Sequence, residues 1–68
     1  MVDTNKLRGC IVANGLTQEE VAKEIGIAPK TFSLKMKKKV IGSDEIEKMI
    51  NLLEIDDPMP IFFAKSVT

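Results

Sequence analysis

Five lysines within ten residues are the densest chemical feature of this chain: Lys30, Lys35, Lys37, Lys38 and Lys39, with no acid among them. Such a block suits anions, and phosphate oxygens above all, through charge-assisted N–H donation. Acids stand on both sides of it. Glu19, Glu20 and Glu24 precede it, and Asp44, Glu45, Glu47, Glu54, Asp56 and Asp57 follow. Ten bases against ten acids leave a net charge of zero, so the field is sided rather than large. Catalysis finds little material. There is no His and the only Cys is Cys10, which removes His acid–base chemistry, Cys/His zinc sites and any internal disulfide. The carboxylates fall at predicted helix starts and on exposed faces, where capping and solubility account for them. An enzyme is not expected.

The frame that must hold these lysines is small. At 68 residues and 7.5 kDa the chain makes one domain. A domain of this size hides only about 60% of its unfolded surface and has a stability of about 3–5 kcal/mol. Apolar residues at 44% and charged residues at 29% suit a soluble globule. The longest apolar stretch, Pro58 to Ala64, is far short of the ~20 residues of a membrane span. Asp3 and the lack of an apolar block near the N-terminus argue against a signal peptide. The expectation is a cytoplasmic module without metal, cofactor, membrane or small-molecule substrate.

Helix punctuation is dense along the chain. Asp3 caps a first helix, with Val2 and Leu7 spaced as a hydrophobic staple. Leu7, Cys10, Ile11 and Asn14 recur at helical spacing, and Gly15 ends the run. Gly9 inside it implies a close neighbour, since glycine there costs roughly 1 kcal/mol. Thr17 and Glu20 form a capping box for a second helix, stapled by Leu16 and Val21 and stopped by Gly26. Val21, Ala22 and Ile25 make its buried face. Pro29 opens a third helix, with Phe32 and Met36 inward. Ser43 is expected to cap a fourth helix with Asp44 and Glu45 at its positive end. Ile46, Met49, Ile50 and Leu53 form its stripe, and Pro58 bounds it. In the tail, residues 58–68, Asp57 and Pro58 can start one further turn. The fold class is all-α: a bundle of four helices, five if the tail adds its turn.

The residues TQEEVAKEIGIAPKTFS, together with their flanking helices, resemble the helix-turn-helix of the phage Cro and repressor-like regulators. The resemblance spans about residues 4–55, with the motif at about 17–37. It rests on Gln18, Ala22 and Gly26 at the first, fifth and ninth motif positions, with apolar Val21, Ile25, Ile27 and Phe32 around them. Ala22 must be small where two helices cross, and Gly26 permits a positive φ in the turn. Two departures stand out. Lys35 occupies a position that is normally aliphatic and buried, and Lys37–Lys39 replace the glycine often found after the third helix. A rotation that buries Met36 would aim Lys35 at a DNA backbone.

The resemblance implies double-stranded DNA as partner, with the third helix in the major groove. Lys30 is then placed to donate to guanine, Thr31 and Ser33 to serve bases or phosphates, and Leu34 to meet a thymine methyl. Lys35, Lys37 and Lys38 would lie along phosphates, and Gln18 would bond a phosphate at the start of the second helix. One motif covers half an operator, so a weak homodimer is expected, built from Leu52, Ile61, Phe62 and Phe63. Adjacent residues rarely both face inward, so one of Phe62 and Phe63 closes the core and the other is left for a partner. The alternative is a protein-interaction module that keeps the motif as scaffold and binds a repressor or toxin through its acids and Phe-rich tail. An acid from Glu19 or Glu24 intruding on the lysine face would favour that alternative.

Overall fold

A computed structural model of the chain describes residues 2–63. All regular structure among them is helical: α1 Thr4–Ala13, α2 Gln18–Ile25, α3 Pro29–Lys38, α4 Ser43–Leu52 and α5 Met59–Phe62. The tail thus adds its turn as a fifth helix, and residues 64–68 of that predicted tail lie outside the described residues. None of these helices is long and apolar enough to cross a membrane.

Local chemistry sets the helix ends. Asp3 accepts from the Lys6 N–H at 3.2 Å and starts α1. Thr17 and Glu20 exchange bonds of 3.0 and 3.1 Å in the expected capping box, satisfying two N–H groups the helix cannot. Gly26 takes φ 82°, which lets the chain reverse from α2 into α3 within three residues. The start of α4 differs from the expectation. Its cap is Gly42, and Ser43 is the first helical residue, without a capping bond from its hydroxyl. Glu45 supplies the missing partner by accepting from the Gly42 N–H at 3.0 Å.

The core draws on every helix. Leu7 and Ile11 of α1, Val21, Ala22 and Ile25 of α2, Phe32 and Met36 of α3, and Ile46 and Met49 of α4 are buried together, joined by Leu53, Ile61 and Phe62. α2 is the hub, packed against α1, α3 and α4. Asn14, at the end of the α1 stripe, is exposed, but its side-chain N–H groups donate to Cys10 O and, across the fold, to Leu53 O at 3.1 Å. Lys48 of α4 similarly reaches Ile25 O at the end of α2. Two polar residues therefore tie α4 to the ends of α1 and α2.

The tail corrects a sequence expectation. Ile61 and Phe62 were assigned to a subunit contact, yet they are 7% and 2% exposed and complete the chain's own core. Asp3 N–H donates to Ile61 O and Val2 N–H to Lys39 O, so the N-terminal segment bridges α5 and the end of α3. Phe63 is 50% exposed, and Leu52 is half-buried against the core. Gly9 is a second correction. A Cβ built there meets nothing within 4 Å, so no close neighbour requires glycine. Gly9→Ala is expected to stabilise the fold by about 0.5–1 kcal/mol, because alanine loses less backbone entropy in a helix. Urea denaturation checks this through a raised midpoint at unchanged slope.

Candidate nucleic-acid interface

α3 splits cleanly into two faces. Phe32 and Met36, one turn apart, are each about 1% exposed and fix the helix against α2. Lys30, Thr31, Ser33, Leu34, Lys37 and Lys38 all remain exposed. Positions 30, 34 and 37 are four and seven residues apart, so Lys30, Leu34 and Lys37 line one ridge, with Ser33 beside it. The structure thus brings together on α3 six of the eight residues assigned to DNA. Leu34 is the apolar centre of that ridge, half exposed between two lysines.

Lys35 departs from its assignment. Its ammonium lies 2.7 Å from both carboxylate oxygens of Glu45, across the connector to α4. Met36 is buried as expected, but the rotation that buries it delivers Lys35 to α4 rather than to an external phosphate. The reason is electrostatic: a partly buried ammonium needs a partner, and the carboxylate in the first turn of α4 is the one in reach. Glu45 is held below the ordinary glutamate range by the Lys35 hydrogen bond, against burial that pushes it up, and the Gly42 N–H adds to the lowering.

One carboxylate therefore caps α4 and clamps α3. Glu45→Ala is expected to cost about 1–2 kcal/mol near neutral pH, the sum of a lost cap and a partly exposed ion pair. Because the folded-state value is depressed, this stability is present above the unfolded glutamate value and is lost as pH falls through the folded one. Thermal melts of both chains should therefore differ at pH 7 and converge in acid.

Gln18, the eighth assigned residue, lies apart from the ridge. It is half-buried at the first position of α2, beside Arg8, Val12 and Leu16 in a shallow groove of about 270 Å³. Arg8 was not singled out in the sequence. Its place opposite Leu7 and Ile11 on the outer side of the first helix was the available signal. A larger groove of about 580 Å³ runs along the other side of α2 to the start of α3, lined by Thr17, Glu19, Glu20, Lys23, Ile27 and Pro29. Glu20 is committed to its capping box, so Glu19 is the uncommitted carboxylate nearest the start of α3. No His, Cys, Asp or Glu side chains gather as a metal site among the described residues.

The chain belongs to the family described as "Protein of unknown function (DUF739)", whose model matches residues 1–65. No curated protein and no solved structure matches it.

Proposed function

We propose that this DUF739 member is a sequence-specific DNA-binding transcriptional regulator that acts by occupying its operator. The carrying observation is the two-faced α3, whose buried Phe32 and Met36 aim the Lys30–Ser33–Leu34–Lys37 side outward after a tight glycine turn. α2, Gly26 and α3 then act as a helix-turn-helix, with α3 in the major groove. Lys30 reads guanine, Leu34 meets a thymine methyl, and Thr31 and Ser33 serve bases or phosphates. Lys37 and Lys38 lie along the backbone, and Gln18 and α2's first N–H groups bond a phosphate on the far side. The resemblance to Cro-like proteins makes a small phage or mobile-element repressor the specific form of this reading.

A ten-residue α3 is about 15 Å long and reaches one half-site only. Two copies spaced about 34 Å along the duplex supply the rest. With Ile61 and Phe62 used internally, the surface left for pairing is Phe63 and Met59 on α5, 50% and 60% exposed, with Leu52 at its edge. The dimer is weak and is stabilised by the duplex through linkage. Sedimentation of the parent and of Phe63→Ser, each with and without a palindromic duplex, tests this; equal stoichiometry for both chains on DNA would remove Phe63 from the contact.

One observation favours the protein-interaction reading instead: Glu19 borders the groove that leads to the start of α3. Selection of bound sequences from a random DNA pool separates the two. Enrichment of a defined half-site supports the regulator, and recovery of unselected sequence only would favour the protein partner.

A further inference from the structure

Two residues other than glycine hold a left-handed backbone conformation: Lys39 at φ 58° and Glu54 at φ 51°. Both terminate helices, α3 and α4 respectively. An L side chain in this region crowds its own backbone, which is why helices so often end in glycine there. Lys39 is firmly placed. Its N–H donates to Met36 O at 3.2 Å, and its carbonyl accepts from Val2 N–H at 3.3 Å. Those bonds involve only backbone atoms and would survive a change to glycine. The lysine side chain is exposed, and among the described residues its ammonium has no ion-pair partner. Lys35, four residues earlier, has its charge taken by Glu45.

We propose that Lys39 contacts a DNA phosphate, and that its charge is kept in a strained backbone position at a cost in stability. The proposal rests on the DNA-binding reading above. Strain that persists where a simple substitution would relieve it marks a position with another use. Here the other use is electrostatic. α3 ends in Lys37, Lys38 and Lys39, and the bonds from Val2 and to Met36 hold the last of these at a fixed place beyond the ridge. Lys39 supplies the cationic contact that Lys35 does not.

Glu54 is the internal control. It has the same backbone geometry at the end of α4 remote from α3, and its negative charge cannot serve a phosphate. Three variants of the full chain separate strain from charge. Lys39→Gly should raise the melting temperature by about 4 °C. It should also weaken duplex binding about five- to tenfold near 0.1 M salt and reduce the salt slope by about 0.9. Lys39→Gln keeps the strain and loses the charge, so binding should weaken equally with no rise in melting temperature. Glu54→Gly should raise the melting temperature and leave binding unchanged. The probes are a random-sequence duplex and the duplex recovered by selection. Parent-like affinity and salt slope for Lys39→Gln would overturn the phosphate contact. An unchanged melting temperature for Lys39→Gly would overturn the stability cost. A parent chain that binds neither duplex overturns the DNA-binding reading itself, which is visible before any variant is made.

Discussion

Phe62→Ala is expected to unfold most of the protein at 25 °C. A fully buried phenylalanine cut to alanine costs about 3–5 kcal/mol through lost transfer energy and the cavity left behind. That equals the entire stability expected of a domain this small, about 3–5 kcal/mol. Phe62 is 2% exposed and packs with Ile61 against a core that includes Leu7 and Ile11 of α1. Phe63→Ala, one residue on and half exposed, should cost under about 1 kcal/mol, as surface changes do. Far-UV circular dichroism in urea distinguishes them. A chain cut after Asp57 should behave like Phe62→Ala, because it loses both buried residues of α5. Near-native melting of that shortened chain would show that α5 is not part of the core.

The second large effect is on salt dependence. Lys30, Lys37, Lys38 and Lys39 place four uncommitted charges on or just beyond α3. Neutralising about four phosphates per copy gives a slope of roughly −4 in log K against log salt, at about 0.9 per phosphate. Raising salt from about 50 to 200 mM should then weaken each bound copy about a hundredfold. Lys35→Ala should leave the slope unchanged and lower stability instead, because Glu45 already neutralises that charge. Lys38→Ala should weaken all duplexes alike. Lys30→Ala should cost about 1–3 kcal/mol at the selected site and relax preference at one base pair. Fluorescence titration of labelled duplex at several salt concentrations measures all four chains. A flat response in the parent would remove phosphate contact from the account, and a reduced slope for Lys35→Ala would return that residue to the interface.

The linear order of residues determined most of the scaffold. Capping depends on side chains three residues apart, so Asp3 and the Thr17–Glu20 box were legible from spacing alone. Gly26 required only that a positive φ be available where α2 stops. The inward residues Phe32 and Met36, and with them the outward ridge of α3, followed from helical periodicity. These are local constraints, satisfied within one or two turns.

What only the tertiary structure decided involves partners distant in sequence or alternatives that are locally equal. Phe62 and Phe63 are the same residue type side by side, and only the docking of α5 on α1 buries the first and exposes the second. Ser43 and Gly42 both suited a cap; Glu45, reaching back to the Gly42 N–H, settled which one serves. Lys35 looked like its four lysine neighbours until α4 came alongside and set a carboxylate 2.7 Å from its ammonium. Gly9 implied crowding by its type alone, and the packing left open space there. In each case the deciding term is desolvation or contact between separate helices, which residue spacing along one helix does not encode.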